Sequence, residues 1–200
     1  NALPDAQVWG DGRIVWVQSD ENTGSRRVLT GQLTAEQLQA LLQKADQAGF
    51  FGWQEEYRQP LSPTDMASKC LSIHLAQKTK QVCEYFRGAP ESFHQLYSLI
   101  SQGAGAQPVD FVPERGYLTA NYVKSSDLPM DQRIPDWDST ALSVSLGEAA
   151  NGLWVEGEAL RTAWKLINAN PFGPLVQEGE MFYRLSLQIP GLSLMEPPNP

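Results

Sequence analysis

The chain has no excess of basic residues, no long apolar run, and little sulfur or imidazole. Its 200 residues hold 15 Lys and Arg against 23 Asp and Glu, a formal net charge of -8 with a pI near 4.7. A surface this acidic repels phosphate backbones and anionic headgroups, which argues against nucleic acid and against a peripheral membrane role. No stretch reaches the roughly 18 apolar residues that a transmembrane helix needs. His74 and His94, with Cys70 and Cys83, are too few and too scattered for a zinc site. The motifs of a serine-hydrolase elbow, a Ser-x-x-Lys pair, a zinc-protease helix and a phosphate-binding glycine loop are missing. Gly10-Asp11-Gly12 lacks the third glycine and following helix of a dinucleotide fingerprint. The chain begins Asn1-Ala2-Leu3-Pro4, without Met or a signal peptide. A processed start is therefore expected, with a secretion signal or lipid anchor removed.

The residues that are present make an ordered fold. The chain is 42% hydrophobic, with six Trp, six Tyr and seven Phe, and a chain of this size buries roughly 70% of its unfolded surface. Ser68 to Phe86 holds both cysteines and reads as a β-hairpin. Leu71, Ile73 and Leu75 alternate with Ser72 and His74, and the polar run Ala76 to Lys80 is expected to turn the chain before Val82 to Phe86 returns. Pairing Cys70 with Cys83 sets Leu71 opposite Val82. The apolar residues then share one face and the sulfurs the other, whereas a slip of one residue would exchange the faces. A disulfide at this position supports an oxidising compartment.

Around that hairpin, Gln7 to Trp9 and Arg13 to Val17 flank an Asp-Gly turn, and Arg27 to Leu33 reads as a third strand. Thr34 and Gln37 have capping-box spacing ahead of Leu38, Leu41, Leu42 and Ala45, a helical stripe ended by Gly49. Phe50, Phe51, Trp53 and Tyr57 read as packing at the helix exit, and Pro60 and Pro63 as a loop. Pro90 opens a second helix, Glu91 to Ser101. Further on come strands at Tyr117 to Lys124 and Ala141 to Leu146, a short strand at Leu153 to Val155, a helix over Glu158 to Ala169, and a hairpin ending at Ile189. The fold expected is α+β in two similar-sized halves, each an antiparallel sheet with one or two packed helices. The boundaries fall at residues 1–102 and 109–192, joined by the small-residue linker 103–108 and followed by a proline-rich tail, 193–200.

Candidate binding residues are few. Trp9 and Trp16 flank the first turn and Trp137 lies in a polar loop, so these three rings are expected to be exposed. The same loop, 125–139, carries Asp127, Asp131, Asp136 and Asp138. A solvated acidic loop is one reading. A calcium site is another, since calcium takes several oxygen ligands from a flexible loop, although no cofactor is otherwise called for. A hydrolase using two of these loop carboxylates, with Glu55 and Glu56 as further candidates, is the enzymatic alternative. The leading expectation is a non-enzymatic module that binds a protein, peptide or glycan.

The first half resembles an uncharacterised domain family of bacterial secreted proteins and lipoproteins. The resemblance lies in the Gly10 to Arg13 hairpin, Leu33-Thr34 leading into Leu38 and Leu41-Leu42, and Ala48-Gly49-Phe50-Phe51. Tyr57, Thr64-Asp65 and the hairpin that follows complete it. It implies an exported protein, periplasmic or extracellular or held as a lipoprotein, and carries no activity.

Overall fold

The computed structural model describes residues 2–59, 68–128 and 133–199. In chain order the elements are β1 (Ala6–Val8), β2 (Arg13–Ser19), β3 (Arg26–Gln32), α1 (Ala35–Gln47), β4 (Glu56–Arg58), β5 (Ser68–Leu75), β6 (Lys78–Tyr85), α2 (Glu91–Ser101), β7 (Val109–Asp110), β8 (Arg115–Val123), α3 (Ser139–Leu142), β9 (Leu153–Glu156), α4 (Gly157–Ala169), β10 (Leu175–Glu178) and β11 (Met181–Gln188). The strands form sheets ordered β1-β2-β3-β7, β10-β11-β8-β9 and β4-β6-β5, and the fold is α+β. The chain divides into two compact units. The first comprises Asn1–Gln7, Val15–Thr30 and Pro108–Pro200, and the second Val8–Ile14 and Gly31–Gln107. Among the described residues no helix is long and apolar enough to cross a membrane.

In the first unit, parity along β8 and β11 builds the core. Tyr183, Leu185 and Leu187 pair with Tyr122, Ala120 and Leu118, so these residues share a face. Leu160, Ala163, Trp164 and Ile167 lie on one side of α4 and are buried, as their helical spacing predicts. Gly116 keeps the two layers close, since a Cβ there would lie 2.8 Å from Leu187 Cδ1 and 2.9 Å from Leu160 Cδ1. The Trp164 indole N–H donates to Phe111 O at 3.1 Å. Arg27 Nε donates to Asp110 Oδ1 at 2.6 Å, tying β3 to β7 and holding the Asp110 carboxyl below the usual carboxylate range.

The strand expected over Ala141 to Leu146 does not form. The Asp138 carboxylate accepts the N–H groups of Thr140 and Ala141, which winds Ser139–Leu142 into the single turn of α3. Ser143 then takes a left-handed φ of 54°. The apolar alternation there comes from a packed loop. Leu146 is fully buried, its N–H donates to Glu178 Oε2 at 2.9 Å, and Val144 O accepts the Trp137 indole N–H at 2.8 Å.

In the second unit, the first turn is set by Gly12 (φ 88°), whose N–H donates to Trp9 O at 3.0 Å. A Cβ at Gly12 would collide with the Leu33 carbonyl, so both the angle and the space require glycine. The capping box of α1 is complete: Thr34 Oγ1 accepts the Gln37 N–H, and Gln37 Oε1 accepts the Thr34 N–H at 2.8 Å. Thr34→Ala is expected to cost about 1 kcal/mol in a denaturant melt. A loss below a few tenths would mean the helix is held by packing alone.

Phe50 is fully buried in an aromatic group with Phe51, Trp53 and Phe93, which is the packing role expected at the exit of α1. The central hairpin has the expected register, Cys70↔Cys83 and Leu71↔Val82, with a tighter turn than expected, because Leu75 pairs directly with Lys78. The Cys83 N–H points away from β5 and donates to Glu55 O at 2.9 Å. Cys70 and Cys83 are therefore a non-hydrogen-bonded pair, the arrangement in which facing Cα atoms approach most closely. Their Cα atoms are 4.1 Å apart, and a disulfide joins them. β4, which the hydrophobic pattern does not announce, runs parallel to β6 and makes this sheet mixed. The loop expected at Pro60 and Pro63 lies outside the described residues.

Candidate functional site

The residues singled out from the sequence do not gather into one site. Trp16 and Trp137 are only 2% and 3% exposed, which corrects the expectation of exposed rings. Trp16 follows Ile14 and Val15 in β2, and all three successive residues are buried, so both faces of the strand are covered there; Trp137 is drawn in by its bond to Val144 O. Trp9 is half-buried, with the Arg13 guanidinium 3.8 Å above its ring. Asp127 lines a cavity of about 410 Å³ with Ser126, Asn170 and Arg184. Asp136 forms an isolated bridge with Gln177, Asp138 caps α3, and Asp131 lies outside the described residues. Among the described residues no three or more His, Cys, Asp or Glu side chains are grouped to hold a metal ion.

A different place stands out, where β6 passes into α2. The parity that sets the sulfurs on the outer face of the hairpin turns Val82 and Glu84 inward. Val82 is fully buried and Glu84 is 3% exposed. A carboxylate taken from water needs partners, or its burial costs several kcal/mol. Glu84 Oε1 accepts the Ala89 N–H at 2.9 Å and lies 3.5 Å from His94 Nε2 on α2. The buried carboxylate thus fastens the end of β6 to the residues that open the helix.

Between these anchors the backbone is strained. The Arg87 N–H donates to Tyr85 O at 3.0 Å across Phe86, whose φ is 70°. A two-residue bond spanning a positive φ is a γ-turn of the rarer hand, unfavourable for any residue with a Cβ. Gly88 follows with φ 128°, and a Cβ there would be 3.7 Å from the Tyr57 Cβ. Phe86 at the apex is 38% exposed. Strained backbone of this kind persists only where surrounding contacts over-determine it, and it concentrates at functional sites.

The corner is also cationic. Arg58 comes from β4, Lys69 from β5, and Arg87 lies just past β6. The register sets Arg58 opposite Tyr85, and Lys69 opposite Glu84. The Arg58 guanidinium lies 4.8 Å from the Tyr85 ring centre, and that of Arg87 5.4 Å from the Phe86 ring. Lys69 Nζ is 5.5 Å from the Tyr97 ring. All three cations are exposed, and none is paired with a carboxylate among the described residues. The signal for this corner in the sequence was a charged residue at an inward position, Glu84, two residues after Val82. The hydrophobic pattern drew attention to the sulfurs instead.

Fold and site together define an α+β module with a cross-strand disulfide and a strained, cationic-aromatic corner. Residues 4–103 match a domain of unknown function, DUF6438, and the chain belongs to that family. The matched segment holds both the disulfide hairpin and the corner. No curated protein and no solved structure matches the chain.

Proposed function

We propose that this protein is an exported, non-enzymatic binding module, periplasmic or extracellular, that grips a protein, peptide or glycan through the corner from Tyr85 to Gly88. The observation that carries the reading is the strained turn at Phe86, held from beneath by buried Glu84 while it presents an aromatic ring to solvent. Tyrosine and arginine are among the side chains most enriched where interfaces draw their energy, and phenylalanine is enriched at interfaces generally. The cross-strand disulfide supports an oxidising compartment.

The test is a photo-crosslinking amino acid placed at position 86 in the organism that makes the protein, with Lys44 on exposed α1 as the control position. A discrete adduct is expected from position 86 and none from position 44. Equal crosslinking from both positions, or none from 86, would remove the corner as a contact surface.

A further inference from the structure

We infer that the partner gripped by this corner is an acidic segment of a protein chain, with side-chain carboxylates received by Arg58 and Arg87 and apolar neighbours laid on Phe86. The inference rests on the corner being the contact surface and adds the class of partner. Its ground is charge complementarity at one end of the sheet β4-β6-β5. Arg58 is the last residue of β4, Lys69 the second of β5, and Arg87 lies two residues past β6, all three exposed. Of the nearest carboxylates in sequence, Glu84 is buried and engaged with Ala89 and His94, Glu91 belongs to the first turn of α2, Glu55 lies 3.8 Å from Lys80, and exposed Glu56 is set opposite Cys83 by the register.

Two of the cations are arginines lying near aromatic rings. A guanidinium drawn to a ring in this way still offers its forked N–H donors, which can receive a planar carboxylate through two parallel bonds. The rings select among anions. A uniformly charged polyanion, such as a sulfated glycan or a nucleic acid, would use the cations alone, whereas a segment mixing acidic and apolar residues also covers the exposed Phe86 ring and its neighbour Tyr85.

The probe is a short labelled peptide of Glu and Leu, tested beside its Lys-for-Glu counterpart and heparin, with the full chain in its oxidised form. The Glu and Leu peptide is expected to bind saturably, more weakly as salt rises, and the Lys counterpart not at all. Arg58→Gln with Arg87→Gln should weaken it by at least about tenfold, since a hydrogen bond to a charged group is worth roughly 1.5–3 kcal/mol and 1.4 kcal/mol is tenfold. Both side chains are exposed, so the melting temperature should stay unchanged. Phe86→Ala should weaken binding while keeping its salt dependence. No binding of the acidic peptide, or equal binding of the Lys counterpart, would overturn the inference. Heparin binding that Phe86→Ala abolishes, without peptide binding, would overturn the partner class and keep the contact surface. Binding indifferent to both variants, with no crosslink from position 86, would overturn both.

Discussion

Phe93→Ala is expected to cost the second unit about 3–5 kcal/mol, the range for emptying a fully buried aromatic site. Phe93 sits on the inner face of α2 with no exposed surface. Its ring centre lies 6.1 Å from that of Trp53, 5.5 Å from His94 and 6.2 Å from Tyr97, and Trp53 continues the group to Phe50 at 5.6 Å. These rings come from two segments far apart in sequence, so the cavity cannot be closed by a local shift. His94 also faces Glu84, so the loss should reach the corner. A denaturant melt followed by tryptophan fluorescence reads the effect. A loss below about 1 kcal/mol would mean the aromatic group is not the core of that unit.

The second large effect is expected from the disulfide. Replacing Cys70 and Cys83 together by serine should cost about 3 kcal/mol, because the bond closes a loop between cysteines 13 residues apart and removes conformations from the unfolded chain. The hairpin register should survive, since Leu71 and Val82 still face the core and the ladder from Ser68↔Tyr85 to Leu75↔Lys78 is intact. A reducing agent added to the natural protein should produce the same destabilisation, and leave the serine variant unmoved. If reduction shifts both proteins equally, the cause lies elsewhere. Intact mass of protein taken from its source, alkylated before and after reduction, shows whether the bond is present there.

The hairpin was legible because two constraints agree. Cysteine pairing and apolar alternation each select a register, and they select the same one. The capping box at Thr34 and the stripe of α4 were legible for a related reason, since hydroxyl-to-amide spacing and helical periodicity are local. Ala141 to Leu146 misled because alternation reports burial, and a loop drawn inward by Asp138, Trp137 and Glu178 buries the same side chains as a strand. Trp16 beside the Asp-Gly turn and Trp137 in a polar loop both read as exposed, but a large ring in either place packs inward wherever a core is available. β4 was hidden because three residues are too few to show a period. The corner needed three-dimensional information. Nothing in sequence spacing brings Arg58, Lys69 and Arg87 to one end of a sheet, and the positive φ falls on phenylalanine, a residue that does not announce it.

Hydrogen exchange at the Ala89 amide tests most directly whether Glu84 stitches the corner from below. This N–H donates to a carboxylate that is 3% exposed. It should therefore exchange about as slowly as the paired amides of β6, and Glu84→Leu, which removes the acceptor, should speed it while leaving β6 protected. An Ala89 amide that exchanges as fast as an unstructured peptide, or one that Glu84→Leu does not affect, would mean that Glu84 does not hold the corner.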